Sequence, residues 1–333
     1  MKVVGLQTSI WSNNLKSLYL LLIFPVIICF LGFIIILALN IASDTGSDTK
    51  TYTSYPAIDR YGKVTLPVNT YVDPYKKTTD SIPVVTPFFL GGVGVWFLIA
   101  WAYNRQMILR LTKSKPLSRN ENPRVYNIVE NLCISRGLPV PKIYIMEEAS
   151  LNAFASGLSP KESIIGFTRG ILDKLNDQEL EAVAAHEVTH IMNYDTRLML
   201  VSIIFVGIIQ TMTEVFVRIR FRSSGKKNDG AGIIFLLQIV AMILGFLVAA
   251  LIQSAISRKR EFLGDAGSVE LVKSSQPLIS ALMKISQDPG VEAINNKSVS
   301  QMFIFSPSLS KLKSLFASHP PIEERIKALQ AIG

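Results

Sequence analysis

Four long apolar runs constrain this chain more than anything else in its 333 residues: 18–42, 83–103, 198–217 and 231–256. Apart from Glu214, near the end of the third, none holds a charged side chain. A helix needs about twenty mostly apolar residues to cross the hydrocarbon of a bilayer, where each backbone polar group must be satisfied within the segment. Each run is long enough. Hydrophobic residues make up 49% of the chain, and the excess over a soluble domain sits in these runs. The expected fold class is therefore mainly α and integral to a membrane, with four predicted transmembrane helices.

Charge sets the expected topology. Run 18–42 is too long for the apolar core of a signal peptide and ends without a small-x-small cleavage site, so it reads as a retained anchor in which Pro25 is tolerable. Run 83–103 carries Trp96, Trp101 and Tyr103 toward one end, and Arg105, Arg110, Lys113, Lys115 and Arg119 follow. Basic residues beside a span mark its cytoplasmic end. Residues 1–105 thus form a hairpin whose loop, 43–82, faces outward. That loop is polar, with one short strand expected at 63–68 and tyrosines 52, 55, 61, 71 and 75 forming a packed face or meeting headgroups; a solvated connector is the simpler reading. The second hairpin, 198–256, is ambiguous: its turn holds Arg218, Arg220, Arg222, Lys226 and Lys227. Either it spans against the charge rule or it dips into the cytosolic face; its length favours spanning. The net charge of +9 reads as topology and lipid-headgroup contact, and no basic block interleaved with aromatics marks a nucleic-acid surface. Cys29 and Cys133 fall in a predicted span and a cytosolic segment, and neither suits a disulfide or a C-x-x-C metal site.

The cytosolic parts, 106–197 and 257–333, hold the chemistry. His186-Glu187-Val188-Thr189-His190 places two imidazoles four residues apart. On a helix they share a face, one turn apart, where both can bind one Zn²⁺ with Glu187 beside them to take a proton from water. The helix is supported independently: Asn176 as N-cap and Glu179 at N3 make a capping box, and Leu180, Val183, Ala184 and Ile191 recur at helical spacing. The same helix is expected to run on through Asn193, Asp195 and Arg197 into the third apolar run. Ahead of it, 123–137 reads as an amphipathic helix and 142–146 and 163–168 as strands linked by the small-residue stretch 151–157. The edge of that little sheet is suited to pairing with an extended peptide. Beyond residue 267 the chain reads as soluble helices, one over 277–287 and a last one opened by Ser318-His319-Pro320-Pro321.

A catalytic zinc commonly keeps three protein ligands and an open position for water. No third histidine lies near the motif, so a carboxylate is expected. Glu261 follows the fourth apolar run, with Asp265 one turn further on to hydrogen-bond a ligating imidazole. On spacing alone, Arg258, Lys259, Arg260 and Glu261 read equally well as interfacial charges.

Four segments in this order resemble the HtpX-type membrane metalloproteases, relatives of the CAAX prenyl proteases: Asn152-Ala153-Phe154-Ala155-Ser156-Gly157; His186 to Ile191 with Asn193 and Asp195; Ser257-Arg258-Lys259-Arg260-Glu261 with Asp265; and Ser318-His319-Pro320-Pro321. The resemblance covers most of the chain. It implies a cytosolic α+β gluzincin-like domain with one Zn²⁺ per chain on His186, His190 and Glu261. It implies a multi-pass endopeptidase of the cell membrane that hydrolyses misfolded or damaged membrane proteins. Glu187 would be the base, Asp265, Asn193 and Asp195 the supporting shell, and Asn152, Ala153, Phe154 and Ala155 the residues that bind the substrate. His319 reads equally as an oxyanion donor or as a packed helix-start residue. The outer loop 43–82 is longer than the family pattern. Three rivals are a CAAX-type processing protease, a non-catalytic zinc scaffold and a transporter. Badly placed cysteines weigh against the scaffold, and nearly charge-free, unpaired spans against the transporter.

Overall fold

A computed structural model describes residues 52–58, 64–71, 74–201, 203–204, 258–287 and 320–332, with the helical positions 14–15, 18–19, 22, 26, 29 and 33. The chain divides into two compact units, one of residues 1–20, 99–206 and 249–333, the other of 21–98 and 207–248.

In the second of these, β1 (Tyr52–Ile58) pairs antiparallel with β2 (Val64–Tyr71). Tyr52 lies opposite Tyr71 and Ile58 opposite Val64. The register shifts between Tyr55 and Ala57, at Pro56, which has no N–H to give to a ladder. The outer loop thus holds a two-stranded ribbon rather than the single short strand expected, because a proline inside β1 hides its strand pattern. Helix α1 (Pro74–Leu111) then contains the whole 83–103 run and both Pro83 and Pro87. Val84, Leu90 and Val95 on it are exposed. Among the described residues, no helix is long and apolar enough to cross a membrane. The other three expected spans lie wholly or largely outside the described residues, and the fourfold span count rests on sequence alone.

The other unit is α+β. After the end of α1 come β3 (Lys115–Pro116), α2 (Pro123–Ser135), β4 (Lys142–Met146), β5 (Ala153–Ser156), β6 (Ile164–Thr168), α3 (Arg169–Lys174), α4 (Asp177–Met192), α5 (Arg258–Val272), α6 (Gln276–Ser286) and α7 (Ile322–Gln330). The sheet runs β3-β4-β6-β5, with β4 and β6 parallel and β5 antiparallel to β6. β5 is the small-residue stretch expected to be only a link. Its side chains lack the branching that marks strands.

Helix α4 is the centre of this unit. It packs on α2, α5, α6 and β5. Nearly every residue from Glu179 to Ile191 is buried, with Leu180, Val183, Val188 and Ile191 in one core with Ile143, Phe167, Leu282 and Leu329. A helix apolar on most sides belongs inside a domain. Its start is fixed by the expected capping box: Asn176 Oδ1 accepts from the Glu179 N–H and Glu179 Oε2 from the Asn176 N–H, both at 2.9 Å. Its end differs from expectation. The helix stops at Met192, and Tyr194 takes a left-handed conformation (φ 59°) before the chain turns helical again at Asp195. Such a residue costs roughly 1–2 kcal/mol. Here the Tyr194 ring packs under the Arg197 guanidinium, which also donates to the Leu158 carbonyl at 2.6 Å.

Glu179 also joins α4 to α6. It is buried, and it accepts from Ser280 Oγ at 2.6 Å and Lys284 Nζ at 2.7 Å. Burial opposes its charge, but Lys284, Ser280 and the Asn176 N–H prevail and hold its carboxyl below the ordinary range. The folded pKa lies below the unfolded one, so the unfolded chain binds the extra proton. The stabilisation is complete above about pH 4.3 and disappears as pH falls through the folded value. Glu179→Gln is therefore expected to be less stable than the parent near neutrality, with the gap closing in acid. Urea unfolding in detergent at neutral and acid pH measures it, and a gap independent of pH refutes the assignment.

Candidate metal centre

Two helices far apart in sequence make the site. α4 presents His186 and His190 one turn apart. α5 packs across it and brings Glu261. Small residues on α5 allow the close approach: a Cβ on Gly264 would stand 2.7 Å from His186 Cε1 and 2.9 Å from His190 Cε1. Ser268 Oγ donates to the Ala182 carbonyl at 2.6 Å across the same interface.

The donor atoms of His186, His190 and Glu261 all lie within 4.8 Å of one another. The two imidazole Nε2 atoms are 3.0 Å apart, Glu261 Oε2 is 3.6 Å from His186 Nε2, and Oε1 is 3.7 Å from His190 Nε2. Tetrahedral zinc with bonds of about 2.0–2.2 Å needs its ligand atoms roughly 3.3–3.6 Å apart. The three separations straddle that range, and the set could hold one metal ion. His186 and Glu261 are buried, while the His190 side chain is 12% exposed and marks the wetter side.

Each imidazole is held from behind. Asp265, one turn after Glu261, places Oδ1 3.1 Å from His186 Nδ1. Asp195 places Oδ2 2.8 Å from His190 Nδ1. With His190 Nδ1–H donating to Asp195, its Nε2 keeps the lone pair for a metal, while the His186 Nδ1–Asp265 pair stands at ion-pair distance without a completed hydrogen bond. The break in α4 makes the second contact available. In an unbroken helix residue 195 would sit about 140° around the axis from residue 190.

Charge points the same way. Among the described residues, Glu187, Asp195, Glu261 and Asp265 are all buried here with the guanidinium groups of Arg260 and Arg325. With both imidazoles neutral, as metal ligands are, four carboxylates against two guanidiniums leave two negative charges, the complement of a divalent cation. Burial alone would depress the His186 pKa. The Asp265 and Glu261 carboxylates outweigh it and push it up to about 9.

The other expected residues fall as follows. Glu187 is buried on α4, near enough to Arg325 for their charges to interact. Asn193 is the C-cap of α4, its N–H bonded to the Thr189 and Ile191 carbonyls. Asn152, Ala153, Phe154 and Ala155 lie at the start of and along β5, an edge of the described sheet, yet all four are buried, so the open edge expected from sequence is covered. His319 lies outside the described residues. Arg325 is not among the residues singled out from sequence, and Arg260 is read there only as part of the charged segment before Glu261. Arg325 left a signal: on α7 the buried positions Ile322, Arg325 and Leu329 make one stripe, so an arginine stands where a leucine belongs.

Residues 119–333 match the model of peptidase family M48, and the chain belongs to that family of metalloproteases. It is similar along its length to a protein named Protease HtpX homolog from Bacteroides fragilis, 41% identical over 99% of both chains. A Protease HtpX homolog of Dictyoglomus turgidum is 37% identical over 75% of this chain and 86% of its own. Among solved structures, S. mikatae Ste24p aligns at TM-score 0.46 and 20% identity, over 77% of this chain and 59% of that one.

Removing the ion should leave the excess negative charge only partly offset, by a proton on His186. Chelation is expected to lower the thermal midpoint of the purified chain, and re-addition of Zn²⁺ to restore it. Saturation a hundredfold above Kd would contribute about 2.7 kcal/mol. A midpoint indifferent to chelator would contradict the charge reading.

Proposed function

We propose that this chain is a zinc-dependent endopeptidase of the cell membrane that cuts misfolded or damaged membrane proteins. The observation that carries the reading is the spacing of three donors on α4 and α5, with Glu187 beside them in a pocket two charges negative.

When bound by His186, His190 and Glu261, Zn²⁺ supplies Lewis acidity to a water and to the scissile carbonyl. Glu187 stands three residues before His190, about 60° around the axis from it, at the border of the ligand face of α4. It accepts the proton that the water loses as its oxygen bonds to the carbonyl carbon. It then passes that proton to the amine nitrogen as the C–N bond breaks, and the carboxylate is regenerated. Asp195 and Asp265 keep both imidazoles oriented throughout. His319 remains the candidate donor to the developing oxyanion, and β5 the strand on which an extended peptide is held. Since β5 is buried here, pairing requires its edge to be uncovered first.

The membrane assignment is supported by the four apolar runs and by the exposed Val84, Leu90, Val95, Leu98 and Ile99 on α1. Exposed apolar side chains along one helix suit lipid better than water. The basic residues after run 83–103 put the metal domain in the cytosol. A CAAX-type processing role would use the same chemistry on a lipidated substrate.

In detergent, the parent is expected to hold one zinc per chain and to cleave an unfolded casein-like substrate. Glu187→Gln should keep the metal and lose about 10²–10⁴-fold in cleavage, while Glu261→Ala should lose the metal itself. Normal cleavage by Glu187→Gln would sink the mechanism. If the hairpin 198–256 spans, Ser224→Cys should react with a membrane-impermeant thiol reagent in intact cells. Labelling only after lysis would place that turn in the cytosol.

A further inference from the structure

Arg325 and Arg260 take no part in the mechanism above, yet both are buried beside it. Arg325 is 0% exposed and Arg260 6% exposed. A guanidinium group is costly to bury unless it is held by an anion. Each is held by a carboxylate that in turn faces a ligand imidazole. Arg325 grips Asp265 with two bonds, Nε to Oδ2 at 2.9 Å and Nη2 to Oδ1 at 2.6 Å, and Asp265 Oδ1 faces His186 Nδ1. Arg260 Nε stands 3.3 Å from Asp195 Oδ1, and Asp195 Oδ2 faces His190 Nδ1.

We propose that Arg325 and Arg260 are positioning residues of the metal centre, each fixing the carboxylate that sets one imidazole ring toward the ion. The inference rests on the zinc site proposed above. Its physical content is orientational. A carboxylate bonded only to an imidazole swings about its own side-chain torsions, and the ring follows it. A two-pronged guanidinium holds the carboxylate plane, and with it the ring plane and the direction of the Nε2 lone pair. Arg325 does more than orient one ring. Its Nη1 lies 3.6 Å from Glu261 Oε2, so one group of α7 touches both the third ligand and the support of the first. α7 thereby belongs to the metal centre without offering it a ligand.

The hold on Asp195 is of another kind. Among the described residues Arg260 makes its contact through Nε, and its two terminal nitrogens have no hydrogen-bond partner. Among the described residues its restraint falls on Asp195, behind the imidazole that is the more exposed of the two.

The experiment uses the full chain purified in detergent. Zinc affinity is read by chelator competition, and ligand geometry by the visible absorption of the Co²⁺-substituted protein. Circular dichroism of the metal-free protein reports folding. Arg325→Met and Arg260→Met are each expected to weaken zinc binding about 10–100-fold and to alter the cobalt bands. Arg325→Lys keeps the charge but cannot span both oxygens, and is expected to recover only part of the loss. In an Asp265→Asn background, Arg325→Met should weaken binding by clearly less than it does in the parent, the remaining loss being what it exerts through Glu261. Asp195→Asn should mask Arg260→Met in the same way. Should Arg325→Met not fold, Arg325→Lys replaces it in the cycle. Folded arginine variants with parental affinity and cobalt bands overturn the inference, and so do losses that multiply with the aspartate losses. Failure of the parent to bind zinc would instead overturn the zinc reading itself.

Discussion

Buried negative charge organises this molecule. Carboxylates do not collect inside a protein without a counter-charge, and among the described residues two guanidiniums do not balance the four around His186 and His190. With the imidazoles neutral as ligands, the remainder equals the charge of one divalent ion. The α4–α5 interface makes that accounting possible. Gly264 and Gly267 remove side chains where the helices meet the imidazoles and Thr189, and Ser268 bonds across to Ala182. With bulkier residues there, Glu261 would stand off from the imidazoles and its charge would have no purpose.

Helix α4 keeps its ligands in place because both of its ends are tied. At the start, Glu179 serves the cap, Ser280 and Lys284 together. At the end, the left-handed Tyr194 turns the chain so that Asp195 folds back behind His190, and Arg197 secures the turn to Leu158. The strained residue and the second imidazole contact are one feature. The conformational cost at Tyr194 is repaid as orientation of a ligand.

What was legible in the sequence was local. The two histidines, the glutamate between them and the capping box are all written within one helix. β4 and β6 show as short apolar runs. β5 was not legible, because Ala-Phe-Ala-Ser carries no β-branched residue. The end of α4 was not legible either, since no glycine or proline announces the turn at Tyr194. Glu261 is the instructive case. Its meeting with the histidines is a tertiary contact, and nothing near it distinguishes a ligand from one more charge at a helix start. Only the ordered set of four segments singled it out. Arg325 was readable in principle, as a charge on the apolar stripe of α7.

The division of the site across the chain then has a simple energetic account. The ligands of α4 and the ligand of α5 are separated by two apolar runs and their turn, 198–256. Closing so long a loop is less costly than its length suggests, since each doubling adds only about 0.6 kcal/mol of entropy. A single ion pair or apolar contact across α4 and α5 offsets that increment. An insertion between catalytic helices is therefore tolerable so long as the helix interface itself is intact. What that interface has to hold is seen in the described residues: α4, α5 and α7 meet around the imidazoles, with Asp265 behind His186, Asp195 behind His190 and Arg325 beside Glu261.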